Sequence, residues 1–309
     1  MKSWWLSVVL IGAMVPWSEA RTLNGFELEG ASVPEGQILR GGPPRDGIPA
    51  IDEPAFEPVD DADWLSADDR VLGVSLGGVA KAYPIAILNW HEIVNDRIGD
   101  RPIVVTFCPL CGTGMVFDAR VDGEALSFGV SGLLFESDVL LYDRETESLW
   151  SQIWSEAISG PMKGRSLAMV PVEHTSWEEW RSEYPETLVL SRDTGYSRNY
   201  DQDPYAGYEA SPRTMFPVAN KAPGPWHSKE WVLGVSFAGK HKAYPFAELE
   251  ANGQARFTDR LGGQEYTVIW NEDGRSARVE VGGDVVPTTT AFWFAWYAFY
   301  PETEVFEVK

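Results

Sequence analysis

The sequence predicts a mainly β protein, a β-rich α+β fold of antiparallel sheets or a barrel with two related hairpin-containing modules and a few short helices. Short apolar runs rich in β-branched and aromatic residues are separated by turn residues about every 8–12 positions, which is typical of antiparallel β folds. One hairpin-like segment also occurs twice in the 309 residues. A chain of this length can bury a sizeable core.

The duplicated segment is the strongest organisational signal. Residues 71–88 read VLGVSLGGVAKAYPIAIL and residues 232–249 read VLGVSFAGKHKAYPFAEL, with twelve of eighteen positions identical at an offset of 161. In each copy, two β-rich runs flank a glycine-containing turn, which predicts a hairpin. The proline that follows ends the second strand and favours the start of a short helix. We therefore expect two related modules.

The chain divides into five segments on these signals. They are a signal peptide (1–20), an N-terminal wrapping segment (21–62), a first module that holds a Cys-x-x-Cys site (63–190), an irregular connection rich in Pro, Gly and Asn (191–230), and a second, degenerate module (231–309). A capping-box sequence at 175–178 predicts one further helix in the first module.

The first twenty residues predict export. Lys2 precedes a mostly apolar stretch, and small residues stand three and one positions before a cleavage point after Ala20. The stretch is shorter than the 18 or more apolar residues that a membrane-spanning helix needs. We therefore expect a periplasmic or secreted protein, cleaved near Ala20, with no transmembrane helix in its mature form.

Composition excludes some classes of function. The net charge is −21 and the pI is about 4.5, so the chain would repel the phosphates of nucleic acids. With two cysteines, the protein is not a disulfide-rich scaffold. We expect a small molecule or a metal ion as the partner.

The sequence Cys108-Pro109-Leu110-Cys111 is present in the first module and has no equivalent in the second. Its spacing suits a local structural disulfide, a shared metal ion, or thiol redox and nucleophilic chemistry. Gly-Thr-Gly and a β run follow Cys111. This order differs from the thioredoxin arrangement, where the cysteine pair opens a helix.

A metal site would need further ligands. His91 lies seventeen residues before Cys108, and Met115 lies four residues after Cys111. Two thiolates, an imidazole and a thioether would suit Cu(I), whereas two cysteines, a histidine and water would suit zinc. Glu92 is a candidate base. Glu92 or Asp138 would orient the metal ligands without binding the metal itself. His91 could instead accept a proton in a thiol-based reaction.

Two alternative functions remain open. The first is a binding module for a small molecule or glycan, in which stacking and hydrogen bonding hold the ligand and the cysteines form a structural disulfide. Its candidate pocket residues are Trp90, Ser131, Asp138, Trp150 and Gln152. The second alternative is a purely structural exported protein.

Several segments together resemble one known family. They are NWHEIVND (89–96), TFCPLCG (106–112), FGVSG (128–132), WEEW (177–180), SLWSQ (148–152) and DPY (203–205). This set is similar to the bacterial family called domain of unknown function 3179, and the resemblance runs from about residue 50 to the C-terminus. It implies an exported bacterial protein and leaves the reaction open.

Overall fold

A computed structural model of the chain describes residues 22–308. It confirms a mainly β protein, with 42% strand and 12% helix. The predicted signal peptide, residues 1–20, lies outside the described residues. No helix in the described part of the chain is long and apolar enough to cross a membrane.

The elements fall into three sets in chain order. The strands of the first half are β1 (Thr22–Leu23), β2 (Phe26–Glu27), β3 (Ile38–Arg40), β4 (Phe56–Pro58), β5 (Arg70–Leu76), β6 (Val79–Pro84), β7 (Ile93–Ile98), β8 (Arg101–Cys108), β9 (Thr113–Asp118), β10 (Arg120–Val121), β11 (Glu124–Ala125), β12 (Phe128–Phe135) and β13 (Asp138–Asp143). The later strands are β14 (Leu149–Ser151), β15 (Glu156–Ser159), β16 (Met169–Val170), β17 (Glu173–Ser176), β18 (Leu188–Leu190), β19 (Trp231–Phe237), β20 (Lys240–Pro245), β21 (Arg256–Leu261), β22 (Gln264–Asn271), β23 (Ser276–Val281), β24 (Asp284–Val286), β25 (Thr289–Phe292) and β26 (Glu304–Val305). The α-helices are α1 (Ile85–His91), α2 (Trp177–Glu183), α3 (Phe246–Asn252) and α4 (Trp293–Phe299).

These strands form four larger sheets. The largest has eight strands, in the order β26-β20-β19-β25-β9-β8-β7 with β16 paired to β9, and so joins strands of both copies. Two five-stranded sheets have the orders β17-β5-β6-β18-β4 and β15-β14-β13-β12-β3, and a four-stranded sheet runs β21-β22-β23-β24. The pairing is mostly antiparallel. The second five-stranded sheet packs with the eight-stranded sheet in the main core.

The two copies share a plan of hairpin, seven-residue helix and second hairpin. Copy one is β5-β6, α1 and β7-β8, and copy two is β19-β20, α3 and β21-β22. A lysine in the hairpin pairs with an aspartate on the following strand at 2.7 Å in both copies, and a tyrosine hydroxyl donates to the same carboxylate oxygen. The residues are Lys81, Tyr83 and Asp96 in copy one and Lys242, Tyr244 and Asp259 in copy two.

Each copy also closes with the same strand, helix and strand. These elements are β17-α2-β18 in copy one and β25-α4-β26 in copy two, and their last strands run parallel to β6 and β20. The indole rings of Trp180 and Trp296 cover Gly73 and Gly234, where a Cβ would lie 2.2 Å from a ring carbon. A strand glycine in each copy therefore leaves room for a tryptophan.

The connection between the copies, residues 191–230, contains neither helix nor strand. Tyr200, Tyr208 and Lys229 within it are nevertheless buried. Lys229 donates hydrogen bonds to the carbonyl oxygens of Ser211 and Arg213. The segment is thus packed into the molecule by its side chains.

Candidate metal centre

Three buried side chains from two sheets meet at one point. Cys108 is the last residue of β8, Cys111 lies in the turn before β9, and Asp138 is the first residue of β13. One ligand atom from each of the three lies within 4.8 Å of the other two. Both cysteines are free thiols. The group has the residue types and the spacing to hold a metal ion.

The cysteine loop is a tight turn at the end of a hairpin. Cys108 pairs with Thr113 across the hairpin, and Cys111 N–H donates to the carbonyl of Cys108 at 3.1 Å. Gly112 has a φ of +62°, and a Cβ there would lie 2.8 Å from the Trp231 ring. A glycine is required at this position for both reasons. The turn brings both sulfur atoms to the same side.

Asp138 directly follows a strained turn. Glu136 and Ser137 form the two-residue connection between β12 and β13, with φ of 51° and 66°. Turns of this type favour Asn-Gly, because other residues are strained at positive φ. The Ser137 carbonyl accepts the Cys111 thiol at 3.2 Å. The strained turn thus places Asp138 beside the cysteines.

Buried oxygen atoms around this group lack hydrogen-bond partners among the described residues. Asp138 Oδ2 accepts the Ile153 N–H at 3.2 Å, but Oδ1 is unpartnered. The Ser137 and Ser151 hydroxyls and Gln152 Oε1 are also unpartnered. Buried polar atoms are nearly always satisfied in native proteins, so such a cluster calls for a bound ion or water.

Burial favours the uncharged forms of these acids. It raises the pKa of Asp138 to about 7, and it raises the pKa of both thiols above their ordinary value. Burial and the nearby Asp138 carboxylate raise the pKa of Glu92 to about 8. A bound cation would reverse this balance, because metal ligands bind in their deprotonated form.

Glu92 occupies a backbone position that suits glycine. It ends α1 in the left-handed conformation with a φ of 59°, and the equivalent residue of copy two, Gly253, ends α3 with a φ of 63°. The Glu92 side chain is buried, and its carboxylate and Asp138 lie close enough to influence each other's charge. Left-handed backbone costs a non-glycine residue about 1–2 kcal/mol. Strain of this kind is typical of functional positions.

Glu92→Gly is therefore expected to stabilise the metal-free protein by about 1 kcal/mol, since it removes backbone strain and a buried carboxyl group. The gain should appear as a higher urea midpoint at an unchanged m-value. Gly253→Glu in copy two is the matched control and should destabilise the protein. A loss of stability in Glu92→Gly would show that the carboxyl group makes net favourable contacts.

His91 is not part of the cysteine group, and the prediction that it supplies the next ligand is corrected. Its Nδ1–H donates to the Pro49 carbonyl at 2.8 Å, and its Nε2 accepts from the Tyr200 hydroxyl at 2.7 Å. Both ring nitrogens are thus engaged, and burial lowers the His91 pKa. The third member of the buried group is Asp138 and not the His91 imidazole.

Met115 and Gln152 lie close to the cysteine hairpin. Met115 is opposite Thr106 on the β8–β9 ladder, on the sheet face that also carries Cys108, and is fully buried. Gln152 Nε2 donates to Thr106 Oγ1 at 2.8 Å and to the carbonyl of Thr113 at 3.2 Å. Metal binding by the Met115 thioether stays a prediction.

Three of the predicted pocket residues have structural roles. Trp150 is fully buried, and its Nε1–H donates to Asp143 at 2.8 Å. Ser131 is also fully buried, and its hydroxyl donates to a strand carbonyl at the bulge of β12. Binding of a small molecule by either side chain stays a prediction. Trp90 is half-buried and donates to the carbonyl of Gln202 at 3.1 Å.

The fold and this group together define a β-rich protein with a candidate metal site of two cysteines and one aspartate. The chain belongs to the family described as Protein of unknown function (DUF3179), whose model matches residues 45–286. No curated protein and no solved structure matches this chain.

Proposed function

We propose that this protein binds a zinc ion through Cys108, Cys111 and Asp138. The observation that carries the proposal is the convergence of three buried ligand side chains within 4.8 Å. The unpartnered Asp138 Oδ1 supports it, because a coordinate bond would satisfy that atom.

The ligand chemistry favours zinc over copper. Cu(I) prefers thiolate and thioether ligands, while zinc accepts sulfur, nitrogen and carboxylate oxygen together. With His91 bonded elsewhere and a carboxylate in the group, two thiolates and one oxygen form the ligand set. Three protein ligands leave a fourth tetrahedral position for water or a substrate, as in catalytic zinc sites. Glu92, whose pKa is raised in part by the nearby Asp138 carboxylate, is the candidate proton acceptor.

Thiol exchange is less well supported. A reactive cysteine is partly exposed and has a lowered pKa. Cys108 and Cys111 are at most 1% exposed, and burial raises the pKa of both. Both features suit metal ligands that lie inside the protein better than a thiol that must meet another protein's disulfide.

The decisive experiment is a zinc titration of the metal-free mature chain against a competing chromophoric chelator. One zinc per chain is expected. Cys108→Ser/Cys111→Ser should abolish this binding, and Asp138→Asn should weaken it about 100-fold or more, because even residues that only support metal ligands contribute 10- to 100-fold. Asp118→Asn is the matched control, since Asp118 lies on β9 and pairs with Arg101 outside the group.

The outcomes separate the alternatives. Zinc binding that survives the double cysteine substitution would refute the site. Binding of Cu(I) without zinc would refute the choice of metal. A protein that binds neither ion, with the two cysteines joined and Trp150 required for binding a small molecule, would support the binding-module alternative instead.

We further infer that the protein acts in the periplasm or outside the cell. The support is the sequence pattern of residues 1–20. N-terminal sequencing of the protein recovered from an expressing bacterium should begin at Arg21. A chain retained in the cytoplasm with residues 1–20 still attached would contradict this inference.

A further inference from the structure

A cavity of about 220 Å³ lies where the two copies meet. Arg70 is the first residue of β5 and Trp231 the first residue of β19, and both line this cavity. They are equivalent positions at the offset of 161. Pro109 and Gly112 of the cysteine loop form another wall. Ligand sites commonly occur at such junctions between structural units.

The cavity holds one cation without a carboxylate partner among the described residues. Arg70 donates hydrogen bonds to three carbonyl oxygens, those of Gly274, His174 and Arg275. It forms no ion pair with an acid in the described part of the chain. Burial and the positive charge of Arg275 lower the Arg70 pKa to about 10, and the nearby charges of Glu209 and Glu173 offset only part of this shift. An anionic group in the cavity would compensate this charge.

Two carboxylates also line the cavity, and neither is in an ion pair within residues 22–308. Asp203 Oδ1 accepts the Asn89 side chain at 3.1 Å and the Tyr205 N–H at 2.8 Å. Glu209 Oε1 accepts the Trp231 indole N–H at 2.8 Å. Within residues 22–308, the second carboxylate oxygen of each acid accepts no hydrogen bond. A cationic group would therefore find two acceptors here.

The remaining walls are aromatic and neutral. The Trp231 ring lies 4.7 Å from the ring of Phe292 and 4.8 Å from that of His174. Burial and Arg70 hold the pKa of His174 well below its ordinary value, so the imidazole adds no charge. At about 220 Å³, the space is smaller than the roughly 300–1,000 Å³ of drug-sized sites. The ligand is thus small and partly apolar.

We propose that this cavity binds a small zwitterionic molecule of the free α-amino acid class, with its carboxylate toward Arg70, its ammonium group toward Glu209 and Asp203, and its side chain on the Trp231 ring. One cation and two anions beside an aromatic wall match such a ligand better than a purely anionic or purely cationic one. The cavity lining does not include Cys108, Cys111 or Asp138, although Pro109 and Gly112 of the cysteine loop form part of its wall.

The test is calorimetric titration of the mature chain with three probes of nearly equal shape. L-Phenylalanine carries both charges, 3-phenylpropanoate carries the negative charge alone, and 2-phenylethylamine carries the positive charge alone. L-Phenylalanine is expected to bind about tenfold more tightly than either analogue, since a compensated charge pair near a surface is worth about 1.4 kcal/mol or more.

Two substitutions assign the charges. Glu209→Gln keeps an acceptor for the Trp231 indole and should reduce L-phenylalanine affinity toward that of 3-phenylpropanoate, since Asp203 remains as an acceptor. The affinity for 3-phenylpropanoate itself should not fall. Arg70→Gln should reduce L-phenylalanine affinity to that of the amine. Glu265→Gln is the control, because Glu265 is exposed and pairs with Arg260 on the four-stranded sheet.

The proposal is overturned if L-phenylalanine binds no more tightly than both analogues, or if Glu209→Gln leaves its affinity unchanged. Arg70 also holds three carbonyl groups, so Arg70→Gln must first show a cooperative thermal transition. If that variant does not fold, the result for Glu209→Gln decides the proposal alone.

Discussion

Gly73→Ala is expected to destabilise the protein by about 3 kcal/mol or more. A Cβ at this position would lie 2.2 Å from Trp180 Cε3 and 2.3 Å from Cζ3. The indole is buried, and its N–H donates to Thr187 Oγ1 at 2.9 Å, so the ring cannot move without losing that bond. Overpacking a well-packed core typically costs 1–3 kcal/mol, and an overlap this deep lies at the upper end.

Urea unfolding followed by tryptophan fluorescence measures this loss. Gly234→Ala should produce a similar loss in copy two, where the Cβ would lie 2.2 Å from Trp296. Gly36→Ala is the neutral control, because nothing lies within 4 Å of the added atom. The packing argument fails if Gly73→Ala unfolds at the same urea concentration as Gly36→Ala.

Lys81→Met is expected to cost about 3–5 kcal/mol, the range for removing one partner of a buried ion pair. Lys81 Nζ lies 2.7 Å from Asp96 Oδ2, and the two side chains are 9% and 7% exposed. The Tyr83 hydroxyl donates to the same oxygen at 2.6 Å. Without the lysine, the Asp96 carboxylate would keep that one donor while most of its surface stays shielded from water.

Comparison of the two copies tests this reasoning. Lys242 and Asp259 are also 2.7 Å apart, but their side chains are 13% and 21% exposed. Lys242→Met should therefore cost less, because water can solvate Asp259. The double variant Lys81→Met/Asp96→Asn should recover much of the lost stability. An equal or larger loss for Lys242→Met would contradict the assigned role of burial.

The sequence predicted the hairpins and the mainly β class because both depend on local signals. Alternating apolar residues, glycine turns and twelve identities between the copies needed no tertiary information. The closing helices were harder to relate. Their shared Tyr-Pro-Glu-Thr, at 184–187 and 300–303, recurs at an offset of 116 instead of 161 because the copies differ in the length of the chain between hairpin and helix.

Only part of the candidate metal site could be predicted from neighbouring residues in the sequence. The cysteine loop was predictable, since its turn residues and spacing are contiguous. Asp138 reaches the cysteines through the packing of one sheet on another, which spacing does not reveal. His91 forms hydrogen bonds with Pro49 and Tyr200, which are 42 and 109 residues away along the chain, so its partners could not be predicted from local sequence either. The backbone strain at Glu92 could be predicted in part, because the equivalent position in copy two is a glycine, Gly253.

The three candidate ligands come from two different sheets, and this would affect how fast a bound metal exchanges. Cys108 and Cys111 belong to the hairpin of the eight-stranded sheet, while Asp138 belongs to the five-stranded sheet β15-β14-β13-β12-β3. A metal bound by all three would link the sheets and would add its binding free energy to the barrier for separating them. Release would then require a sub-global opening, so the rate of metal exchange would report how often the two sheets part.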